Sequence, residues 1–382
     1  MKSFKLLAVL GCLGLPACAP SEADLLGSSL YSDSGDKISA PSLAFGPNGH
    51  LVVAWADSSD VYVQRWTGTE WEALGSKLSA FPGETSAYWS DVAVDGQGDP
   101  VVAWGEFVPG DLLRKSIIVR RWADGNWVEL GGPLNIGPET RDAYKPSLRL
   151  DSEGNPLVAW SEQSGGSLLA VRRWGPGGWE ALGPTPIAAG TGWGLELAGN
   201  TPILLSHRSE DYGRLQVIDV RRWNGSVWEN LGDPVGEDVV APQLRADAAG
   251  NLVLAWLQQG GIDSPDRLRV ARWSGTAWEA LGPEVAVGSD EVSLGVPGLA
   301  LDAEGQPLVS WIQEQGNSGS LRVARWTGQD WSVKEIEKRG LPLLDFNYGH
   351  GSATLEFHPA EGGVVAWNPY GSRELRVLRF RP

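Results

Sequence analysis

Residues 299–311 read LALDAEGQPLVSW, and residues 325–331 of the same segment read RWTGQDW. The first stretch contains a short apolar run, an Asp-x-x-Gly turn and a second apolar run that ends in tryptophan. Asp at the first and Gly at the fourth turn position are typical of a type I turn between antiparallel strands. The second stretch places two tryptophans on either side of a glycine-containing turn, which predicts another hairpin. Together the two stretches predict a unit of four short strands.

Both stretches recur along the chain with a period of about 52 residues. The first stretch ends at six equivalent tryptophans, and a degenerate seventh copy ends at Ser206. The second stretch, in which four residues separate Arg-Trp from another Trp, occurs six times, and a truncated copy stops at Arg379-Phe380. Eighteen of the 20 tryptophans therefore lie in register, which predicts seven repeats of one structural unit. A four-residue hairpin loop also predicts four cross-strand ion pairs: Arg65–Glu72, Arg173–Glu180, Arg222–Glu229 and Arg272–Glu279.

The second strand of each repeat, for example residues 51–55, is apolar on both faces, so both faces must be covered. Seven such sheets cover one another when they are arranged radially, as in a β-propeller. Residues 23–30 match residues 71–78, a fourth strand, whereas residues 355–380 supply three strands without a fourth. We therefore predict an all-β, seven-bladed β-propeller with four-stranded antiparallel blades, in which the N-terminal strand completes the last blade and removes a free sheet edge.

Residues 21–382 resemble the seven-bladed propeller superfamily in general. The repeat lacks the Gly-His and Trp-Asp signature of WD repeats and the paired glycines of kelch repeats. It has Asp-x-x-Gly where the Asp-boxes of sialidases have Asp-x-Gly. The resemblance therefore implies the architecture, and it implies no family's active site.

The composition excludes several classes of partner and site. The 382 residues include 31 Lys and Arg against 47 Asp and Glu, a net charge of −16, which argues against nucleic acid and other polyanions as partners. Four histidines and two cysteines form no recognisable metal-ligand pair, so we expect no metal and no cofactor. We expect the protein to be a monomer.

The N-terminus has the features of an export signal. Lys2 and Lys5 precede an apolar run, and Leu15-Pro16-Ala17-Cys18 resembles the lipobox of bacterial lipoproteins. The resemblance implies cleavage after residue 17, acylation of Cys18 and a short tether over 18–22, while the repeat predicts one domain over 23–382. The resemblance also implies a place in the bacterial cell envelope, at the outer rather than the inner membrane, with the lipid as the only membrane contact. Val9-Leu10-Gly11-Cys12 also fits the lipobox pattern, although it would leave a shorter apolar region. A further alternative is an ordinary secretory signal in which the cysteine is coincidental.

Function is expected where the repeat breaks. In a four-stranded meander the connections from strand two to three and from four to one lie on one side, and here they vary in length and chemistry. The two tryptophans outside the repeat, Trp89 and Trp193, lie there, together with Tyr144, Tyr348 and His350. These five residues are our candidate binding surface. The alternative is that they pack against the first strand of the next blade. We expect the other 18 tryptophans to be core, because exposing them would be ruinous for solubility.

Support for catalysis is weaker. Glu106 and Glu162 occupy equivalent positions just past strand two, and blade four has His207 and Arg208 there. These four residues are candidates for general acid and base catalysis near the propeller axis, although solvated strand ends explain them too. The sequence thus favours an envelope-anchored propeller that binds a protein partner or a glycan. The alternative is a surface-anchored carbohydrate-active hydrolase or lyase.

Overall fold

A computed structural model describes the chain over residues 23–33, 38, 41–137, 141–163, 167–184, 187–188, 193–210, 215–260, 265–288, 292–316, 318–340, 353–368 and 373–381. All regular elements in these ranges are β-strands. No helix among them is long and apolar enough to cross a membrane.

Seven antiparallel sheets form the seven predicted blades. Blade 1 consists of β3 (Ser42–Phe45), β4 (Leu51–Ala56), β5 (Val61–Trp66) and β6 (Trp71–Ala73). Blade 2 consists of β7 (Ala87–Val94), β8 (Pro100–Val108), β9 (Asp111–Ala123) and β10 (Asn126–Glu129). Blade 3 consists of β11 (Arg141–Leu150), β12 (Pro156–Gln163), β13 (Ser167–Gly175), β14 (Gly178–Ala181) and β15 (Ile187–Ala188). Blade 4 consists of β16 (Trp193–Ala198), β17 (Thr201–Glu210), β18 (Leu215–Trp223) and β19 (Trp228–Asn230).

The remaining blades follow the same order with small irregularities. Blade 5 consists of β20 (Val239–Ala246), β21 (Leu252–Gln258), β22 (Arg267–Trp273), β23 (Trp278–Ala280) and β24 (Ala286–Val287). Blade 6 has a divided first strand, β25 (Val292–Leu294) and β26 (Gly298–Leu301), then β27 (Pro307–Gln315), β28 (Ser318–Trp326) and β29 (Trp331–Gly340). Blade 7 combines β30 (Ala353–His358), β31 (Gly362–Trp367) and β32 (Glu374–Phe380) with β1 (Ala23–Leu25) and β2 (Leu30–Tyr31) from the N-terminus.

The blades form a closed ring. The first strands contact one another in blade order, β3, β7, β11, β16, β20, β26 and β30, and β30 contacts β3. The predicted closure by the N-terminal strand is confirmed, because β1 pairs with β32 in the register Ala23 to Phe380. This register is equivalent to the pairing of Trp71 with Trp66 in blade 1. The edge of β32 is therefore covered, and blade 7 has an outer strand like the other blades.

Tryptophans that end the second strands form the core, as predicted. Trp55, Trp104 and Trp160 have no exposed surface, and β4 is buried along its whole length. These rings lie between neighbouring sheets, where each blade's second strand is covered on both faces. Burying one indole removes roughly 200 Å² from water, so these residues contribute strongly to the packing between blades.

The paired tryptophans of the hairpins fasten each blade to the preceding one. The two rings of each pair are 5.1 to 5.4 Å apart between centroids. The indole of the second ring donates to the carbonyl of a leucine in the preceding blade, at 2.7 Å from Trp127 to Leu74. The same bond recurs at five other interfaces: Trp71 to Leu26, Trp179 to Leu130, Trp228 to Leu182, Trp278 to Leu231 and Trp331 to Leu281.

A glycine follows each of these leucines because the next blade leaves no room for a side chain. A Cβ at Gly282, where φ is +69°, would come within 2.6 Å of the Trp326 ring. A left-handed conformation and a close ring contact both exclude larger residues here.

The predicted cross-strand ion pairs hold only in part. All four registers are as expected, and Arg65 bonds Glu72 at 2.8 Å. Arg272 instead donates to the carbonyl of Gly305, in the first turn of the next blade, at 2.8 Å. Because the guanidinium is long enough to reach across the blade interface, it finds a carbonyl acceptor there rather than Glu279.

Candidate binding site at the mouth of the central channel

The first strands surround an axial cavity of about 520 Å³. Blades 1 to 5 and blade 7 contribute lining residues, so the cavity is the central channel of the propeller. Each first strand starts on the side of the variable connections and runs toward the Asp-x-x-Gly turns. The start of these strands is therefore the mouth of the channel on the variable side.

Irregular backbone widens this mouth in three blades. The pairing of the first strand shifts between Tyr88 and Asp91 in blade 2, and similar shifts occur in blades 3 and 5. Within the shifts, Trp89, Lys145 and Ala241 have φ of 49°, 48° and 50°. Left-handed conformations cost non-glycine residues on the order of 1–3 kcal/mol and cluster at functional sites. Trp89 and Lys145 both line the cavity as a result of this geometry.

Aromatic rings cluster at the mouth between blades 2 and 3. Trp89 lies 5.8 Å from Tyr144 and 5.6 Å from Tyr88 between ring centroids. Tyr88 makes an edge contact with Phe107 at 5.7 Å. All four rings are partly exposed, and Trp89 among them lines the axial cavity. The predicted candidates Trp89 and Tyr144 thus lie in contact.

A lysine supports this aromatic cluster. The Lys115 ammonium lies 4.6 Å from the centroid of Phe107 and 5.7 Å from that of Trp89. It also bonds the carboxylate of Asp142 at 2.7 Å. Cation–π contacts of this kind stabilise ring positions by roughly 0.5–2 kcal/mol. The cluster is therefore held in place before any ligand arrives.

Four charged side chains occupy one repeat position deeper in the channel. Arg149, Glu196, Arg245 and Glu356 each follow the buried leucine of their first strand, and Arg149 lies about 13 Å along its strand from Lys145. Arg149 bonds Glu196 at 3.3 Å, and Arg245 bonds Glu356 at 3.2 Å. Arg245 also lies 3.8 Å from Glu196, so the four form one connected chain across the axis.

The titration of this charge cluster is set by burial and by its neighbours. Burial raises the pKa of Glu356 above its ordinary value, although Arg245 and Arg149 act in the opposite direction. Burial tends to lower the pKa of Arg149, but Glu196 and Asp91 more than offset this and the net shift is upward. The cluster therefore combines the firmly charged guanidinium of Arg149 with one carboxyl, Glu356, that takes up a proton more readily than usual.

The structure places the two candidate glutamates in the scaffold. Glu106 has no exposed surface and accepts bonds from the Trp104 indole, 2.7 Å, and from the Ser79 hydroxyl, 2.6 Å. Glu162 is equally buried and accepts from the Trp160 indole at 2.8 Å. Each carboxylate bonds a core tryptophan and the segment that follows the outer strand of the preceding blade. The catalytic roles considered above stay predictions.

The other candidates are spread over the molecule or fall outside the description. The Arg208 guanidinium bonds Asp219 at 2.7 Å in blade 4. In the blade 4 sheet, the backbone of Trp193 pairs with Ser206 and that of His207 pairs with Ile218. The side chains of Trp193 and His207 are outside the described residues. The lipidation candidate and two binding candidates also lie outside the described residues: Cys18, Tyr348 and His350. Within the ranges given above, no group of three His, Cys, Asp or Glu could hold a metal ion.

Sequence reasoning missed the axial charges, although a signal was available. Their repeat position is Ala44, Ala93 and Ala300 in blades 1, 2 and 6, whereas the other blades have Arg or Glu. Comparing the seven repeats column by column would have exposed this alternation of charge. The left-handed bulges at Trp89 and Lys145 had no comparably clear signal.

Comparisons with known proteins support the fold and nothing narrower. No protein-family model and no curated protein matches the chain. Solved structures do match. A PL25 polysaccharide lyase, an ulvan lyase bound to -[GlcA(1-4)Rha3S]-, has TM-score 0.59 and 14% identity, over 93% of this chain and 96% of that chain. Hydrazine synthase of Kuenenia stuttgartiensis has TM-score 0.57 and 11% identity, over 92% of this chain and 97% of that chain. A Dyadobacter fermentans protein of unknown function has TM-score 0.50 and 13% identity, over 95% of this chain and 100% of that chain. At these identities the likeness shows the propeller fold alone.

Proposed function

We propose that this propeller binds a glycan at the mouth of its central channel, against Trp89 and Tyr144. The observation that carries the proposal is Trp89 itself. It lies outside the tryptophan repeat, has a left-handed backbone and lines the axial cavity beside a second aromatic ring. The structural repeat does not require a tryptophan there, since the equivalent residues with the same left-handed backbone are Lys145 and Ala241, so a function at the mouth is the simplest reason for the ring.

The chemistry of the mouth suits a sugar ring. The faces of pyranose rings carry C–H groups that pack on aromatic rings, and their hydroxyls need polar partners at the rim. Trp89, which lines the cavity, and the neighbouring Tyr144 supply the rings, while Ser147, which also lines the cavity, supplies a hydroxyl. A volume of about 520 Å³ falls within the usual range for small-molecule sites. The ulvan lyase is a precedent for a carbohydrate ligand on a similar scaffold.

Binding measurements on ring-removal variants test this proposal. The fragment from residue 21 onward would be screened on a glycan array, and the best oligosaccharide titrated by calorimetry. We expect Trp89→Ala and Tyr144→Ala each to weaken binding by about tenfold or more, since a buried aromatic contact contributes on the order of 1–2 kcal/mol. Tyr31→Ala is the control, because Tyr31 is 60% exposed on the outer strand of blade 7. Unchanged affinity in Trp89→Ala would overturn the proposal, and crosslinking to a protein partner that needs Trp89 would reassign the mouth to a protein ligand.

A carbohydrate-active enzyme is the second candidate, favoured by one observation. Glu356 lines the same cavity, has a pKa raised by burial and lies 3.2 Å from Arg245. A carboxyl that holds its proton more tightly than usual can act as a general acid toward a glycosidic oxygen. If this candidate is right, Glu356→Gln abolishes turnover of the bound polysaccharide while its affinity stays within a fewfold of the parent. An absence of turnover in the parent protein on every glycan that binds would leave binding as the function.

We further propose that the chain is exported and anchored by a lipid on Cys18. The proposal rests on the sequence around Leu15-Pro16-Ala17-Cys18 and on the placement of the folded domain from Ala23 onward. Metabolic labelling with a fatty-acid analogue tests it in the full chain expressed in a bacterial host. Incorporation is expected in the parent and lost in Cys18→Ser, and label persisting in that variant would refute the anchor.

A further inference from the structure

A second cavity, of about 620 Å³, lies between blades 3 and 4 on the opposite side of the ring. Its walls include the first turn of blade 3 at Asp151 and the hairpin turn at Pro176. Both turns lie on the side away from the channel mouth, because the chain reverses direction once per strand. Trp174 of blade 3 and Trp223 of blade 4 also line this cavity, so two indole rings from different blades meet there.

An exposed arginine without a side-chain partner lines this cavity. The arginine before the hairpin tryptophan reaches the next blade's first turn at two other interfaces. Arg121 donates to the Gly154 carbonyl and Arg272 donates to the Gly305 carbonyl. At the interface between blades 3 and 4 the equivalent residue is Arg173, which is exposed and whose guanidinium has no hydrogen-bond or ion-pair partner among the described residues. Its donors are therefore available to a ligand in the cavity.

The first turn of blade 4 is one residue shorter than that of blade 3. In blade 3, five residues separate the paired positions Leu150 and Pro156. In blade 4, four residues separate Leu197 and Pro202, and the Asp that starts the usual turn is absent. Asn200 from this shorter turn lines the cavity together with Arg173.

The polar walls of the cavity are already organised. Asn200 from the short turn accepts a bond from the Ser152 backbone at 2.9 Å and donates to the Ser152 hydroxyl at 2.7 Å, which joins the two turns. Asp151 accepts from the backbone of Glu153 and from both the backbone and side chain of Asn155, at 2.9 to 3.1 Å. The acceptors are therefore fixed in place, and a ligand would meet little cost of ordering them.

We propose that this cavity is a second ligand site, and that it takes a neutral saccharide. Two carboxylates, Asp151 and Glu153, line the cavity with one guanidinium, that of Arg173, so an anionic sugar would meet net repulsion there. The hydroxyls of a neutral sugar can accept from Arg173 and donate to these carboxylates, while its ring packs on Trp174 or Trp223. The site is independent of the channel mouth and goes beyond the glycan binding proposed above.

Calorimetric titrations of the fragment from residue 21 with maltohexaose, cellohexaose and hexagalacturonate test the site. The variants are Arg173→Ala and its matched control Arg222→Ala, the equivalent residue of blade 4, which is also exposed and unpartnered among the described residues but lines no such cavity. Loss of a hydrogen bond from a charged donor lowers affinity roughly tenfold to a hundredfold. We therefore expect a neutral hexasaccharide to bind, with affinity reduced by that factor in Arg173→Ala and unchanged in Arg222→Ala.

Other outcomes overturn the site and separate it from the channel mouth. Binding that is lost in Trp89→Ala but unchanged in Arg173→Ala would support the mouth alone and refute the second site. Preference for hexagalacturonate, or no saturable binding of either neutral probe up to millimolar concentration, would refute it as well. If both sites bind, Trp89→Ala removes one class of sites and Arg173→Ala removes the other. Both substituted side chains are at least partly exposed, and circular dichroism would confirm that the variants are folded.

Discussion

Replacing Glu106 with glutamine distinguishes a structural carboxylate from a catalytic one. Its Oε2 accepts from the Ala80 backbone at 2.8 Å and from the Trp104 indole at 2.7 Å. Its Oε1 accepts from the hydroxyls of Ser79 and Thr85 at 2.6 and 2.8 Å. All these donors converge on a side chain with no exposed surface. The carboxylate thus ties a core tryptophan to the segment that follows the outer strand of blade 1.

The cost of Glu106→Gln follows from which oxygen becomes an amide group. An NH₂ in place of Oε2 would face two N–H donors that cannot rotate, so the amide places its nitrogen at Oε1, where the hydroxyls can reorient and accept. The Phe81 backbone then loses its 3.1 Å bond to Oε1 but keeps its bond to the Ser79 hydroxyl. The remaining bonds lose the contribution of the negative charge, about 1 kcal/mol each, so we expect destabilisation of roughly 2–4 kcal/mol.

Urea denaturation followed by tryptophan fluorescence measures this change as a fall in the unfolding midpoint. Glu129→Gln is the control, because Glu129 forms an exposed ion pair with Arg120 at 3.3 Å and should change stability by less than about 1 kcal/mol. An unchanged midpoint in Glu106→Gln would refute the structural role. If the same variant also lost turnover of a polysaccharide, Glu106 would be catalytic.

Three further changes test the packing of the ring and its response to pH. Gly282→Ala should lower stability by roughly 2–4 kcal/mol, because its Cβ would lie 2.6 Å from the Trp326 ring. The control Gly275→Ala, whose Cβ would meet no atom within 4 Å, should cost only the strain of its left-handed backbone, about 1–2 kcal/mol. Equal urea midpoints in the two variants would contradict this difference. Trp71→Phe should lower the midpoint by about 1 kcal/mol, because it removes the 2.8 Å bond to the N-terminal segment that closes the ring, and no change would show that the bond contributes nothing. Burial raises the pKa of Tyr62 above its ordinary value of 10.0, so the folded state keeps the phenol proton and loses stability as the pH rises above about 10. Tyr62→Phe should flatten that alkaline decline, and an equally steep decline in the variant would contradict the assignment.

The fold could be predicted because tryptophans recur at fixed spacing in the repeat. Trp66 and Trp71 fix a hairpin register, and the match of residues 23–30 to 71–78 predicts which strand closes the ring. The same regularity predicted that these tryptophans pack in the core. Local spacing and composition were sufficient for these features, since each depends on contacts that recur in every blade.

The site was less predictable because it depends on departures from the repeat. Trp89 and Tyr144 were identified as exceptions, but their contact arises from bulges whose left-handed residues have no fixed sequence. The position of Glu106 suggested an axial acid, yet its bonds to the preceding segment arise only in three dimensions. The cavity beside Arg173 is lined by residues of blades 3 and 4, so it is a property of two blades together.

A crystal structure of the fragment from residue 21 with its best array-selected oligosaccharide would test glycan binding at the channel mouth directly. We predict a sugar ring packed on Trp89 and Tyr144 at the start of the first strands, with its hydroxyls directed into the axial cavity. A saccharide bound elsewhere while the channel mouth holds only water would contradict it.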